Sequence, residues 1–379
     1  MGVVAVGVEQ AQAGSAGKKG MEGAAKAHAF ATDVVARRWP GASLERIEAL
    51  RGDASTRSYL RAWLDVPAGA SAPPTVVIMV LQDSSVAMSS EELSVFGTGG
   101  PKELPFVNVA RFLSRHTDAL PALYGVAADA SLIVLEDVGD VPLWDAARTG
   151  DAEELFGSAL DQIAALQARA VDDGSGCYAF GQAFDERLFA WEFEHFLEFG
   201  IGAAPTSLVQ ASRDELHAVA RRLDMLPRVF AHRDYHAWNI HYWQGRLRFI
   251  DFQDALLAPA LYDVASLMTD RMTPEIVVPE LAERLLRRFY ENQSAGRLES
   301  FEETRASYML LALQRVLKVV GRFNYLADVK GKPAYRAMLP VVCSTARQLL
   351  SSADGVGATA ELFALAVRDG SDAGVGAAQ

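Results

Sequence analysis

The hydrophobic pattern changes at about Gly139, and this change constrains the fold more than any other feature of the sequence. Before it, short β-rich segments are separated by clusters of Gly, Asp, Pro and Ser, which predicts strands. These segments are residues 44–50, 58–66, 75–81, a stretch after Pro121, and 131–136. Apolar residues at helical spacing from Phe106 to Leu113 predict one helix among them. Residues 30–139 therefore predict a small antiparallel β lobe.

After Gly139, apolar residues recur at three- and four-residue spacing over long stretches, which predicts helices. The stretches are residues 152–170, 186–199, 212–225, 280–292, 301–326 and 334–351. The exception is residues 228–251, where short strands surround a loop of polar side chains. The sequence therefore predicts an α+β fold in which a larger helical lobe, residues 140–367, follows the β lobe. The cleft between two such lobes is the expected ligand site.

Both ends of the chain are rich in Gly and Ala. Residues 1–29 predict a disordered leader, in which an apolar stretch precedes Lys18 and Lys19, the reverse of a secretory signal. Residues 368–379 predict a flexible tail.

The composition excludes several classes of partner. The 36 Lys and Arg against 48 Asp and Glu give a net charge of −12, which argues against nucleic acid or an anionic membrane, because phosphate binding needs clustered cations. No apolar run is long enough to span a bilayer. Cys177 and Cys343 cannot build a disulfide framework. We therefore expect a cytoplasmic protein that binds a small molecule, and nothing implies an obligate protein partner.

The loop in residues 228–251 carries the densest cluster of functional side chains. His232, Arg233 and Asp234 are followed by Asn239 and, at the end of an apolar strand, by Asp251. The spacing H-R-D-x-x-x-x-N followed by Asp-Phe is the phosphoryl-transfer pattern of protein kinases. Its aspartate orients the acceptor hydroxyl, while an amide and a second carboxylate supply the oxygen ligands that Mg²⁺ prefers. A lone His-Arg-Asp would be weak evidence, but the full spacing predicts Asp234 as catalytic residue and Asn239 and Asp251 as metal ligands.

A second motif follows at residues 259–265, Pro-Ala-Leu-Tyr-Asp-Val-Ala. Asp263 lies at the start of an apolar helical segment, so it is either a simple helix cap or a carboxylate that also accepts hydrogen bonds from the catalytic loop. We expect His232, Arg233 and Asp263 to support the loop structurally.

These motifs resemble the aminoglycoside phosphotransferase/choline kinase-like superfamily, whose members share a bilobal protein-kinase-like fold. Three further segments are similar to the kinases that phosphorylate the anomeric hydroxyl of N-acetylmuramate and N-acetylglucosamine in cell-wall recycling. They are Gly-Asp-Ala-Ser-Thr-Arg-Ser-Tyr at 52–59, Asp-Phe-Gln-Asp-Ala at 251–255, and Gln-Arg-Val-Leu-Lys-Val-Val-Gly at 314–321. The resemblance implies ATP and Mg²⁺ as cofactors and a small amino sugar as substrate.

The nucleotide side departs from the protein-kinase pattern. Strand 75–81 has no Lys and helix 106–116 has no Glu, so the usual pair that holds the phosphates is absent. We expect the phosphates to bind the turn that carries Asp53, Ser55 and Thr56, with Arg57 or Arg61 as the cation, although a plain hairpin turn would explain the same residues. The backbone at Glu136 and Val138 is the expected adenine contact.

The acceptor side has weaker signals. Trp191, Glu194 and His195 suit a sugar ring, although a core helix with a polar outer face explains them as well. Arg315 and Lys318 lie three residues apart, either as a surface stripe or as cations for the lactyl carboxylate of N-acetylmuramate. His236 and His241 are expected to pack or hydrogen-bond rather than to bind Mg²⁺, which prefers oxygen.

Two alternatives remain open at the level of sequence. The acceptor could be another alcohol, such as an aminoglycoside or a choline-like compound. The chain could also be a pseudokinase that binds a nucleotide or partner without turnover. The joint presence of Asp234, Asn239 and Asp251 speaks against the second alternative, because a scaffold does not need all three.

Overall fold

The protein is described from a computed structural model, which covers residues 16–50, 57–81, 103–127, 129 and 131–370. The chain divides into two compact units. The smaller unit comprises Met1–Ala87 and Pro121–Asp137, and the larger comprises Met88–Leu120 and Val138–Gln379.

The smaller unit contains a five-stranded sheet in the order β1-β2-β3-β5-β4, with every pair of neighbours antiparallel. Its strands are β1 (Ser43–Ala49), β2 (Arg57–Asp65), β3 (Thr75–Leu81), β4 (Leu123–Val126) and β5 (Leu132–Glu136). The central strand β3 reads Thr-Val-Val-Ile-Met-Val-Leu, and such β-branched residues suit a pleated, buried position. The predicted antiparallel β lobe is confirmed.

Helix α1 (Ala16–Arg38) covers one face of this sheet. Ala27, Ala31 and Val34 recur at helical spacing and are buried with Ile78 and Val134 of the sheet. The prediction of a disordered leader is therefore wrong from residue 16 onward, because alanine favours helix and its small side chains let the helix approach the strands. Residues 1–15 lie outside the described part of the chain.

The larger unit is mainly helical. Its helices are α2 (Pro105–Leu113), α3 (Leu143–Thr149), α4 (Ala152–Arg169), α5 (Glu186–Phe199), α6 (Thr206–Asp224), α7 (Leu261–Thr269), α8 (Pro279–Asn292), α9 (Phe301–Asp328), α10 (Leu339–Ser352) and α11 (Gly357–Ala366). Short 3₁₀ turns lie at Tyr178–Gly181, Thr273–Glu275 and Pro333–Met338. Within the described residues, no helix combines the length and the apolar character that crossing a membrane requires.

Helix α2 belongs to the larger unit, whereas the sequence predicts it within the β lobe. The reason is aromatic packing. The Phe106 ring stacks on Phe252 with centroids 4.8 Å apart, and Phe112 packs against Phe180 at 5.2 Å and Phe230 at 6.0 Å.

The larger unit contains two short antiparallel ribbons, and the polar loop connects a strand of the first ribbon to a strand of the second. The first pairs β6 (Arg228–Ala231) with β9 (Leu256–Pro259), and the second pairs β7 (Ile240–Trp243) with β8 (Arg246–Phe249). Gln244 and Gly245 join β7 to β8, both with positive φ of 49° and 77°, the conformation that a tight hairpin turn requires.

The sequence predicts a flexible tail from residue 368, but Arg368 itself is bound to the larger unit. The backbone N–H of Arg368 donates to the carbonyl of Gly200 at 2.9 Å, and Asn324 Nδ2 donates to the carbonyl of Arg368 at 2.9 Å. Arg368 is thus part of the folded larger unit. Residues 371–379 lie outside the described part of the chain.

Candidate active site

The loop 232–239 between β6 and β7, hereafter the catalytic loop, is held by the carboxylate of Asp263 on α7. The backbone N–H of His232 donates to Asp263 Oδ2 at 2.8 Å, and that of Arg233 donates to Asp263 Oδ1 at 2.9 Å. Arg233 has a φ of 75°, a conformation that a non-glycine residue keeps only where neighbours hold it. Of the two readings of Asp263, the one in which its carboxylate accepts hydrogen bonds from the loop is observed. Burial raises the pKa of Asp263 to about 7. The two N–H hydrogen bonds stabilise the carboxylate and lower the pKa, but their effect is smaller than that of burial.

Side-chain hydrogen bonds fix the rest of the loop. His232 Nε2 lies 3.0 Å from the carbonyl oxygen of Ile250, and burial lowers the pKa of His232 to about 4, so the ring is neutral and Nε2–H donates. The Tyr235 hydroxyl donates to the carbonyl of Ala159 at 2.8 Å. Asn239 Nδ2 donates to the backbone oxygen of Asp234 at 3.0 Å. The loop therefore has little freedom to move.

Asn239 and Asp251 flank the β7–β8 hairpin and become neighbours through it. The N–H of Ile250 donates to the carbonyl of Asn239 at 2.9 Å, which closes the base of the hairpin. Because Asn239 Nδ2 is bonded to the loop, its side-chain oxygen is the atom left to accept or ligate. The hairpin therefore carries an amide side chain at one end of its base and a carboxylate at the other, and both are oxygen donors of the kind that Mg²⁺ prefers.

Gln253 stands where ordinary kinases have the glycine of Asp-Phe-Gly. Its Nε2 donates to Asp251 Oδ1 at 3.1 Å and to Asp254 Oδ2 at 2.9 Å, so one amide holds two carboxylates. Burial raises the pKa of Asp254. The sequence pattern includes Gln253 but does not reveal this role.

The charge of Asp234 is set by two arginines. Burial pushes the pKa of Asp234 upward, but the positive charges of Arg315 and Arg233 outweigh it and hold the pKa below the ordinary range. The side chain of Asp234 keeps 33% exposure, which leaves the carboxylate open to a ligand. The group is therefore a permanent carboxylate near neutral pH, suited to orient a hydroxyl.

Arg315 of α9 is brought to the catalytic loop. Its Nη2 lies 3.6 Å from Asp234 Oδ1, and its Nη1 lies 3.3 Å from the hydroxyl of Tyr262 and 3.5 Å from the carbonyl oxygen of Arg233. The residue is 5% exposed. The alternative that Arg315 belongs to a surface stripe is therefore wrong.

Lys318, one turn further along α9, is paired inside the protein. Its Nζ lies 2.5 Å from Oε1 of Glu192 on α5, and Gln314 Nε2 donates to Glu192 Oε2 at 2.5 Å. Glu192 is fully buried, and sequence reasoning missed it. A signal existed: Glu192 lies on the apolar face of α5, between Phe189 and Phe196, where a carboxylate needs a buried cation.

The three predicted sugar contacts on α5 lie in helix packing. Glu194 binds Arg213 Nε at 2.8 Å and His217 Nε2 at 3.1 Å, both on α6. The Trp191 and His195 rings stack on each other at 5.7 Å, and His195 also packs edge-on against Tyr325 at 5.3 Å. Their contact with a sugar stays a prediction.

On the nucleotide side, Asp53, Ser55 and Thr56 lie outside the described residues, and Arg57 is the first residue of β2. Arg61 binds Asp137 through two hydrogen bonds of 2.6 and 2.9 Å, with side chains only 13% and 5% exposed.

Of the predicted adenine contacts, Glu136 ends β5 in the smaller unit, and Val138 is a buried residue of the larger unit. The Glu136 side chain accepts the N–H of Ala122 at 3.0 Å.

Comparison with known proteins shows which family and which relatives this chain resembles. Residues 101–300 match the phosphotransferase enzyme family. The N-acetylmuramate/N-acetylglucosamine kinase of Pseudomonas aeruginosa is 30% identical over 287 residues, covering 71% of this chain and 82% of that protein.

Solved structures support the fold. Choline kinase from Cryptosporidium parvum aligns with a TM-score of 0.56 at 12% identity, over 88% of this chain and 99% of that one. An ADP-bound aminoglycoside phosphotransferase aligns with a TM-score of 0.53 at 12% identity, over 84% and 95%. The predicted protein-kinase-like fold is confirmed.

Proposed function

Since this chain belongs to the phosphotransferase enzyme family, we propose that it transfers the γ-phosphoryl group of ATP to the anomeric hydroxyl of N-acetylmuramate or N-acetylglucosamine. The observation that carries the proposal is the arrangement of the catalytic loop. Asp234 follows β6 on a backbone held by Asp263, while Asn239 and Asp251 flank the β7–β8 hairpin, whose base is closed by the bond from the N–H of Ile250 to the carbonyl of Asn239. Such an activity would serve peptidoglycan recycling.

Asn239 and Asp251 would hold Mg²⁺, and the donor set fits, because an amide oxygen and a carboxylate are hard ligands. When bound, the ion supplies neutralising charge for the β- and γ-phosphates. Gln253 would orient Asp251 through its 3.1 Å hydrogen bond, so that one carboxylate oxygen remains for the ion.

Asp234 would accept a hydrogen bond from the acceptor hydroxyl and aim its oxygen at the γ-phosphorus. A bond forms between that oxygen and phosphorus, the bond to the bridging oxygen of ADP breaks, and the hydroxyl proton passes through Asp234 to solvent. Because the pKa of Asp234 is held low, the carboxylate is a weak base. An anomeric hydroxyl, which is more acidic than an ordinary alcohol, suits it, since phosphoryl transfer depends mainly on positioning and charge stabilisation.

The nucleotide contacts are proposed from the sequence. The backbone at Glu136 and Val138 would bind adenine, and the segment with Asp53, Ser55, Thr56 and Arg57 would contact the phosphates. Arg57 adjoins this segment at the start of β2.

The test is a turnover screen with purified protein, ATP and MgCl₂. Acceptors are N-acetylglucosamine, N-acetylmuramate, an aminoglycoside and choline, and the measurements are ADP release, loss of the reducing-end signal and phosphorus NMR. We expect turnover of the two amino sugars, an acid-labile 1-phosphate product and complete loss of reducing power. A 6-phosphate would refute the anomeric position, and turnover of the aminoglycoside or choline alone would refute the sugar.

A further inference from the structure

Arg315 is a buried cation whose surroundings satisfy it only loosely. Its terminal nitrogens reach their partners at 3.3 to 3.6 Å, and its buried Nε meets no acceptor within the part of the chain that the structure describes. Burying a guanidinium is costly unless it is paired at short range. Folding alone would favour an apolar side chain here, so the charge calls for a functional reason.

The helix that carries Arg315 is locked in its rotation. Gln314 and Lys318 both bind Glu192, at 2.5 Å each, so one buried carboxylate on α5 holds α9 on either side of Arg315. One turn further, Gly321 lets the two helices cross closely, since a Cβ there would lie 2.8 Å from the carbonyl oxygen of His195. These contacts keep the adjacent side of α9, which carries Arg315, turned toward Tyr262 and the catalytic loop.

We propose that Arg315 is a positioning residue for phosphoryl transfer. Its guanidinium faces Oδ1 of Asp234 at 3.6 Å and attracts it by charge, which leaves the second carboxylate oxygen for the acceptor hydroxyl. The Glu192–Lys318–Gln314 cluster fixes the helix rotation that keeps the guanidinium there. The inference rests on the proposed kinase function. It also reassigns Lys318 from a substrate cation to a part of the lock.

The competing role for Arg315 is recognition of a carboxylate on the acceptor. The two roles differ in their dependence on substrate. A positioning residue acts on every acceptor, including N-acetylglucosamine, which has no carboxylate, whereas a carboxylate reader acts on N-acetylmuramate alone.

The first experiment compares Arg315→Met, which keeps the volume and removes the charge, with Arg315→Lys, which keeps a charge. Arg305→Ala, on the exposed side of α9, is the matched control. For Arg315→Met we expect kcat on N-acetylglucosamine to fall by about 10²-fold while KM for ATP stays within about twofold, because misplacement of a reacting group affects the chemical step. Arg315→Lys should recover about tenfold of the loss.

Wild-type kcat in Arg315→Met, or equal losses in the Met and Lys variants, would overturn the proposal. So would a loss confined to N-acetylmuramate. Thermal unfolding of each variant shows whether the fold is retained, and a variant that unfolds below the assay temperature is replaced by Arg315→Gln.

The second experiment tests the lock with the double variant Glu192→Gln/Lys318→Met, which removes both buried charges together and so avoids an unpaired one. We expect a folded protein whose kcat is reduced on the order of tenfold on both sugars with unchanged KM for ATP. An unchanged kcat would limit the cluster to stability and overturn its positioning role. If the wild type phosphorylates a different alcohol, the sugar assignment fails, and both experiments are run on that alcohol with the same expectations.

Discussion

The two units of this protein differ in how their functional residues are held. In the larger unit, the catalytic loop donates hydrogen bonds to the Asp263 carboxylate, accepts one from the Asn239 side chain and faces the buried Arg315. In the smaller unit, the central strand β3 carries no lysine, and Arg61 is engaged by Asp137. The catalytic loop is therefore tied down by hydrogen bonds and matches the protein-kinase pattern, whereas the lysine with which protein kinases hold the phosphates is absent from β3.

The largest effect should come from the catalytic loop. We expect Asp234→Asn to lose about 10²–10⁴-fold in kcat, as for a positioned acid–base group, with nucleotide affinity retained. Turnover on N-acetylglucosamine and calorimetric titration with nucleotide measure the two quantities. Asp214→Asn on the exposed side of α6 is the control. Near-normal turnover in Asp234→Asn would show that the loop held in the larger unit is not where phosphoryl transfer takes place.

The catalytic loop could be predicted from sequence because its interactions are local. Asp234, Asn239 and Asp251 lie within one strand–loop–hairpin segment, so their spacing alone determines which of them can meet. The strands of the smaller unit were also predictable locally, because short β-rich segments there are bounded by clusters of Gly, Asp, Pro and Ser.

Contacts between distant parts of the chain could not be predicted in this way. Glu192 and Gln314 are 122 residues apart, and Arg61 and Asp137 are 76 apart, so only the packing of helices and strands makes them partners. The same holds for α2, whose place in the larger unit depends on Phe106 stacking on Phe252. Amphipathic spacing predicts which face is buried but not what covers it.

The next largest effect concerns Arg61 and Asp137. We expect Asp137→Ala to lower the free energy of unfolding by about 3 kcal/mol, because it removes the carboxylate that accepts two hydrogen bonds from a buried arginine. The double variant Arg61→Met/Asp137→Leu should recover most of that loss. Urea denaturation monitored by circular dichroism measures both.

The double variant also decides what the pair is for. If the pair only stabilises the β sheet, the recovered protein keeps the wild-type KM for ATP. A KM for ATP raised tenfold or more would instead make Arg61 the cation on the nucleotide side, in place of Arg57.

A smaller effect is expected from the metal ligands. Asn239→Ala and Asp251→Ala should each weaken Mg²⁺-dependent ATP binding by about 10–100-fold and raise the Mg²⁺ concentration needed for turnover, because each removes an oxygen donor. Isothermal titration with ATP, with and without MgCl₂, separates the metal contribution. Asn292→Ala, whose side chain binds Asp161 on α4, is the control. If both site variants keep the wild-type response to MgCl₂, the hairpin does not hold the ion.

The smallest effect concerns Arg57, the first residue of β2. If Arg57 replaces the missing lysine, Arg57→Ala should raise KM for ATP by about fivefold. This change corresponds to roughly 1 kcal/mol, which is what a partly exposed charge pair contributes. KM for the sugar should not change, and the effect should weaken at high salt, since an exposed pair is screened. Arg46→Ala on β1, which removes an exposed arginine that stacks on Trp63, is the matched control and should leave both constants unchanged. A rise in KM for the sugar alone would assign Arg57 to the acceptor. Unchanged constants would leave the backbone of residues 52–56 as the phosphate contact, and the smaller unit would then bind ATP without a side-chain cation at this strand.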